Sequence, residues 1–251
     1  MSEPTAPIVF YDIPSRNETH KAWSPNTWKV RFALNIKGLN YKTEWVEYPD
    51  IEDLYQKLRL PAALFKDDGS PYYCLPVIHD SSTNTTLADS FAIVKYLDKT
   101  YPNTETLLPT STLSFHSVLV TLWPKLQARL WPIVVCASHN NLNTSSQEYF
   151  RRTREAKVGK RLEDLRDENE WQEAEKAYEI VKGWLDESSD KDKLLFVDDK
   201  ISFADLIVVS DLIWAKIGLG EDSEEWKRIC GWHDGRWKAL TDRFAQYTVV
   251  N

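Results

Sequence analysis

Strand-like patterns are confined to the first part of the chain, and this asymmetry constrains the fold more than any other feature of the sequence. Up to residue 102, short apolar runs typical of strands alternate with segments whose apolar residues recur at helical spacing. Beyond Pro109, helical spacing continues almost without interruption. We therefore predict an α/β domain at residues 1–104, followed by an all-α domain at residues 111–251.

The predicted order of elements in the first domain is β-α-β, an ambiguous stretch with one short helix, and then β-β-α. Ser24-Pro25 marks the start of the first helix, because serine favours the N-cap and proline the first helical position. The Asp-Asp-Gly sequence at 67–69 predicts a turn. The predicted strands are 8–11, 41–48, 75–80 and 85–87, and the predicted helices are 24–37, 51–58 and 90–99.

The second domain is predicted to be a series of helices. Pro124 and Pro132 lie inside the first of them, and each is expected to kink or break it, because proline lacks an N–H group. The sequence WHDGRW at 232–237 is interpreted as a loop or helix start packed by tryptophan. The predicted helical segments are 112–136, 146–170, 172–185, 202–217 and 224–246.

The charge balance argues against two classes of partner. The chain has 251 residues and a formal net charge of −7 at pH 7, whereas proteins that bind nucleic acid or anionic membranes carry positive charge. Acidic residues accompany the basic run at 151–161, which is therefore interpreted as a solvated helix face. With no apolar run near the ~20 residues of a membrane span and no targeting pattern, we expect a cytoplasmic protein.

Cysteine and histidine spacing argues against two further kinds of site. The three cysteines are far apart and form no C-x-x-C, so neither a disulfide framework nor a redox dithiol is expected. The five histidines have no ligand spacing, so no metal site is expected. The 11 Trp and 11 Tyr supply rigid apolar surface that suits either a bulky core or aromatic ligands.

Three motifs follow one another in the contexts just described. The first is WSPNTWKVR at 23–31, the second is LPVI at 75–78 followed by ADS at 88–90, and the third is SFAD at 202–205. Their order and the two-domain pattern resemble the glutathione transferases over the whole chain. The resemblance implies an N-terminal thioredoxin-like domain followed by an all-helical domain. It also implies glutathione as cosubstrate and a homodimer.

In this family the residue at the start of the first helix supports the thiolate of glutathione, and the resemblance implies that role for Ser24. Its hydroxyl and the helix N-terminus can both favour an anion, which matters because a thiol of pKa ~8.5 is mostly protonated at neutral pH. One or two units of pKa lowering is plausible from such donors. The alternative is that Ser24 only caps its helix.

The second motif is implied to hold the peptide part of glutathione. Pro76 is expected to follow a cis bond as in the family, although an X-Pro bond by itself favours trans. Val77 is expected to pair with the cysteinyl backbone, while Asp89 and Ser90 at a helix start suit the γ-glutamyl ammonium and carboxylate. An ordinary helix start is the alternative. Candidates for the glycine carboxylate are Lys42, Lys57 and Lys66, unranked.

Tryptophan side chains are expected to line the pocket for the second substrate. Trp123 and Trp131 each precede a proline of the same predicted helix, where a bend would face the pocket. The loop residues that precede the first helix, Ile13, Pro14 and Trp23, are competing candidates. Core or dimer-interface filling is the alternative for each tryptophan.

The third motif and the identity of residue 24 complete the interpretation. SFAD is a capping-box variant, so Ser202→Ala is expected to lower stability by ~0.5–2 kcal/mol without affecting chemistry. Ser24 stands where omega-like and lambda-like relatives have a cysteine, so weak thiol transfer is expected. The loop at 12–23, the SPNTWK sequence and the aromatic helical domain look most like the fungal-specific, omega-related class and the bacterial β-etherases. That implies aromatic, wood-derived or polyphenolic ligands. A non-catalytic polyphenol ligandin, a glutathione-dependent β-etherase and a protein interaction module are the alternatives.

Overall fold

The computed structural model describes residues 7–66, 68–187, 193–197 and 199–251. Residues 1–6, the start of the predicted first domain, lie outside the described residues. So does Asp67, the first residue of the predicted turn, while Asp68 and Gly69 lie between two short strands.

The N-terminal part is a thioredoxin-like α/β domain with a mixed sheet, as predicted. The four-stranded sheet has the order β2-β1-β5-β6, with β1 parallel to β2 and the other neighbours antiparallel. A separate hairpin, β3–β4, lies in the stretch whose pattern was ambiguous. The strands are β1 Ile8–Asp12, β2 Tyr41–Trp45, β3 Leu64–Phe65, β4 Pro71–Tyr72, β5 Val77–Asp80 and β6 Thr85–Ala88, and the helices are α1 Pro25–Ile36, α2 Ile51–Leu58 and α3 Ser90–Thr100.

A buried ion pair fixes α1 on the sheet. Arg31 Nη2 lies 2.7 Å from Asp12 Oδ2 at the end of β1, and both side chains are fully buried. Arg31 Nη1 also donates to the hydroxyls of Tyr41 and Thr43 on β2. A buried guanidinium needs such partners, so this arrangement ties α1 to the two parallel strands.

The C-terminal part is helical, as predicted. Its helices are α4 Leu113–Asn140, α5 Thr144–Val158, α6 Glu168–Asp186, α7 Phe203–Leu219, α8 Glu224–Gly231 and α9 Arg236–Phe244. Helix α7 is buried along most of its length and packs against both α4 and α1. The two domains therefore share a continuous core. Among the described residues, no helix is long and apolar enough to cross a membrane.

Each proline was expected to kink or break the helix, and helix α4 shows no break. It runs unbroken from Leu113 to Asn140 with Pro124 and Pro132 inside it. An internal proline costs a helix about 3 kcal/mol. Packing of α4 against α6 and α7 outweighs that cost, because most helical stability in proteins comes from tertiary burial.

The predicted helix at 146–170 is wrong, because two helices lie there. Helix α5 ends at Gly159, whose φ of 69° is the left-handed conformation common after a helix. Helix α6 then begins after Asp167, whose carboxylate accepts from the Glu170 N–H at 2.9 Å. Glycine commonly follows the end of a helix and aspartate commonly precedes the start of one, but the dense charges around Gly159 and Asp167 concealed both signals.

The last predicted helix, 224–246, is likewise divided. Between α8 and α9 the chain turns at His233 and Asp234, which have φ values of 52° and 59°. Trp232 and Trp237 are buried on either side, so the interpretation of this segment as a turn packed by tryptophan is confirmed.

Candidate active site

The peptide bond between Leu75 and Pro76 is cis, as the family resemblance implied. Val77 follows it inside the sheet, fully buried between Tyr11 on β1 and Ala88 on β6. The N–H and C=O of Leu75, by contrast, make no hydrogen bond with any residue that the structure describes. Leu75, which sequence reasoning did not single out, therefore has the peptide groups that are free to pair with a ligand.

Ser24 lies at the N-cap of α1 but does not cap it. Its φ and ψ of −69° and 129° are extended, and its side chain makes no capping hydrogen bond. The carbonyl of Ser24 accepts from the N–H of Trp28 and the hydroxyl of Thr27. Only 4% of the residue is exposed, and its hydroxyl has no hydrogen-bond partner among the described residues.

The N-terminus of α1 has backbone N–H groups that are available to bind an anion. Pro25 occupies the first helical position and has no N–H, so the free donors of this turn belong to Asn26 and Thr27. Together with the Ser24 hydroxyl, they concentrate positive potential at one point of the surface.

Asp89 and Ser90 begin α3. Asp89 has a φ of 77°, an unusual conformation for a residue other than glycine, and its carboxylate accepts from the Ala92 N–H at 2.9 Å. Ser90 is the first residue of the helix and is half-buried, so its hydroxyl and N–H stand at a helix N-terminus. That end suits a carboxylate, and the Asp89 side chain suits an ammonium group.

Lys29 links these two helix ends, and sequence reasoning did not single it out. The half-buried side chain donates from Nζ to Asn26 Oδ1 at 2.9 Å, which places the ammonium near the first turn of α1. Burial lowers the pKa of Lys29, while the charges of Asp211, Asp89 and the Cys74 sulfur oppose that shift. The sequence feature that could have identified Lys29 is its position in the first motif, at 23–31.

Asp211 on α7 is a fully buried carboxyl beside this lysine. Burial raises its pKa to about 6, and the charge of Lys29 works in the opposite direction. Its two oxygens accept from Trp123 Nε1 at 2.8 Å and from Gln127 Nε2 at 2.6 Å. Trp123 therefore contributes its indole N–H to an interdomain polar cluster.

The predicted pocket residues are mostly enclosed. Ile13, Trp23 and Trp123 are 3–4% exposed, and Trp131 is half-buried. An open cleft of about 220 Å³ lies instead between α5 and the segment around α2 and β4, and none of the predicted pocket residues lines it. Its walls are largely tyrosine, and the lining residues are Tyr48, Pro49, Ile51, Glu52, Lys66, Ser70, Pro71, Tyr72, Tyr73 and Tyr149.

Among the candidates for the glycine carboxylate, only Lys66 lines this cleft. Lys42 lies on the exposed surface, 3.9 Å from Glu44 Oε1. Lys57, at the end of α2, is exposed. The three cysteines are free, and the part of the chain described here contains no cluster of His, Cys, Asp and Glu that could hold a metal.

Two family models match separate parts of the chain. The glutathione S-transferase N-terminal domain matches residues 23–100, and the C-terminal domain of the same family matches residues 115–247. The chain belongs to the glutathione S-transferase family. It is a glutathione transferase, and glutathione is its cosubstrate.

Known relatives include several fungal proteins. The chain is 43% identical to the glutathione transferase GSTFuA3 of Phanerochaete chrysosporium, with a TM-score of 0.95 over 99% of this chain and 100% of that one. It is 42% identical to CsGST63524 of Ceriporiopsis subvermispora, solved in complex with glutathione, with a TM-score of 0.94 over 98% and 99% of the two chains. The glutathione S-transferase-like protein ustS of Aspergillus flavus is 30% identical over 96% of this chain and 91% of its own.

Proposed function

We propose that this glutathione transferase is a serine-type member of the fungal-specific, omega-related class, in which Ser24 stabilises the glutathione thiolate for reaction with hydrophobic aromatic compounds. The observation that carries the proposal is the hydroxyl of Ser24, which stands at the N-terminus of α1, nearly buried and without a partner in the described structure. A hydroxyl in this position keeps its donor free for a ligand.

The geometry supports a binding mode for glutathione with three anchors. The Ser90 hydroxyl and the N-terminus of α3 receive the γ-glutamyl carboxylate, while Asp89 receives the ammonium group. The free N–H and C=O of Leu75, beside cis-Pro76, pair with the cysteinyl unit, and buried Val77 supports them from within the sheet. Lys66, at the cleft, takes the glycine carboxylate.

Glutathione supplies the thiol that becomes the nucleophile. Ser24 donates a hydrogen bond to the sulfur, and the ammonium of Lys29 adds positive charge at the same end of α1. Each unit by which these groups lower the thiol pKa corresponds to about 1.4 kcal/mol of preference for the anion. A charge-assisted hydrogen bond and a helix end together supply one or two units.

The reaction is a substitution at an electrophilic carbon. The sulfur forms a bond to that carbon, the leaving group departs with the bonding electrons, and the thiol proton passes to solvent. When the leaving group is a phenolate displaced from an aryl ether, the same step is a β-etherase reaction. The cleft lined by Tyr48, Tyr72, Tyr73 and Tyr149 supports aromatic substrates in both cases.

The decisive experiment compares the wild type with Ser24→Ala and Ser24→Thr, the latter retaining a hydroxyl. In Ser24→Ala, the pKa of bound glutathione, followed by thiolate ultraviolet absorbance against pH, rises by about one to two units. Turnover of an activated aryl chloride then falls about 10- to 100-fold below that pKa, and Ser24→Thr recovers part of it. Equal thiolate absorbance and equal turnover in wild type and Ser24→Ala would show that the assigned role is wrong.

A ligandin that stores polyphenols is the second candidate, favoured by the same aromatic lining. A ligand that binds only the native state raises the melting temperature, so a thermal-shift screen with and without glutathione separates the two functions. Stabilisation by inert polyphenols with no conjugate formed from any electrophile supports storage. We further propose that the protein is a cytoplasmic homodimer, and a monomeric mass by light scattering would contradict the dimer.

A further inference from the structure

Two tyrosines from different domains form a flat stack at the cleft. The rings of Tyr48, which precedes α2, and Tyr149, on α5, are 5.7 Å apart between centroids and only 9° from parallel. Both line the cleft, and the exposed Tyr72 lines another part of its wall. Such a surface accepts an aromatic ring by offset stacking.

An arginine lies against this stack. The Arg154 guanidinium carbon is 4.9 Å from the ring centroid of Tyr48 and 4.2 Å from that of Phe150. Its charge acts on the cleft hydroxyls: burial raises the pKa of Tyr48 to about 12, and Arg154 opposes that rise. It also opposes the rise that burial causes in the pKa of Tyr72. Arg154 is therefore electrostatically coupled to two lining residues.

Arg154 has no acidic partner among the residues that the structure describes. Its Nη1 donates only to the Thr153 hydroxyl, at 2.8 Å. Arg151, three residues earlier on the same helix, instead pairs with Glu155 at 2.8 Å and Glu163 at 2.6 Å. The half-buried guanidinium of Arg154 thus retains donors for an anion.

We propose that Arg154 is an anion-binding residue of the acceptor site, which selects aromatic electrophiles bearing a carboxylate or phenolate group. Guanidinium is weakly hydrated and presents a planar fork that matches a carboxylate, while the stacked rings hold the aromatic part. Arg154 reaches the cleft through its contact with the lining ring of Tyr48. The charged residues that line the cleft directly are Lys66 and Glu52, and Lys66 is assigned to glutathione above. The inference rests on the proposed function and names its substrate class.

The test uses a matched pair of substrates, a chlorodinitrobenzoate and its uncharged methyl ester. In Arg154→Gln, the KM for the benzoate rises about tenfold or more, since a charged hydrogen bond is lost. The KM for the ester and for glutathione stays within about twofold. Arg154→Lys, which keeps the charge and loses the fork, recovers part of the benzoate affinity.

Lys157→Gln is the control, because it removes one positive charge from an exposed position of the same helix. An equal rise in KM for ester and benzoate, or an equal effect in Lys157→Gln, would overturn the assignment. A rise in the KM for glutathione alone would place Arg154 in the cosubstrate site and overturn it too. Melting temperatures of all variants show whether they fold.

A binding measurement separates this inference from the proposed function. Dinitrobenzoate lacking the chlorine cannot react, so calorimetric titration reports the anion site without catalysis. Binding by wild type that weakens about tenfold in Arg154→Gln supports the inference even if Ser24→Ala keeps full turnover. Unchanged binding overturns it, whatever the role of Ser24.

Discussion

Ser24 and Ser202 each occupy the N-cap position of a helix in this transferase, and the two serines have opposite surroundings. Ser202, before α7, donates from its hydroxyl to Asp205 Oδ2 at 2.7 Å, and its N–H donates to the same oxygen at 2.7 Å. The other Asp205 oxygen accepts from the Phe196 N–H at 2.9 Å. Ser24, before α1, makes no side-chain capping bond.

The difference separates a helix start whose polar groups are paired with one another from a helix start that, in the proposed function, binds a ligand. At α7 the polar groups satisfy one another inside the core, so nothing remains for a ligand. At α1 the sequence places Pro25 directly after the serine, and the remaining donors face no internal acceptor of their own. Similar residues at a helix start therefore do not imply similar roles.

The largest expected effect is at Asp205. Asp205→Ala leaves the N–H groups of Ser202 and Phe196 without partners in a buried place, and we expect a loss of about 3–5 kcal/mol in the free energy of unfolding. Urea unfolding measures it, with the exposed Asp199→Ala as control. A loss below about 1 kcal/mol would contradict the view that this network stabilises the fold.

A smaller loss is expected at Ser202. Ser202→Ala removes the hydroxyl but retains the backbone bond to Asp205, so the free energy of unfolding falls by about 0.5–2 kcal/mol. Turnover per folded molecule stays unchanged, because the Ser202 hydroxyl bonds to Asp205 and is not one of the groups assigned to glutathione. A drop in turnover with unchanged stability would show that Ser202 acts in the reaction and not in folding, which would contradict the comparison.

The smallest effect is expected on the stability of Ser24→Ala. Since the hydroxyl makes no capping bond, its removal changes the free energy of unfolding by less than about 0.5 kcal/mol. Parallel urea titrations of this variant and Ser202→Ala measure the contrast. Equal losses in both would mean that Ser24 caps α1 in solution.

Local signals explain most of what the sequence predicted. The β5–β6 hairpin, α2 and α3 follow from alternation, helical spacing and end residues within a few positions of each element. The division between α5 and α6 was missed although Gly159 marks it, because the dense charges on both sides continue a helical pattern. The strands β3 and β4, of two residues each, are too short for a periodic signal.

Contacts between distant segments explain what the sequence could not predict. Asp211 meets Trp123 from another helix, and Arg154 meets Tyr48 from another domain. Spacing along the chain carries no information about such pairs. The position of Ser24 was predictable from its motif, whereas the absence of a capping bond depends on its side-chain orientation in the folded protein.

The ion pair between Arg31 and Asp12 has a consequence for the speed of the chemistry. Any sliding of α1 along the sheet would separate two fully buried charges, so the helix is locked in one register. Ser24 begins that helix. Its position on the sheet is therefore fixed before any substrate arrives. In the proposed role of Ser24, little reorganisation remains when negative charge develops on sulfur.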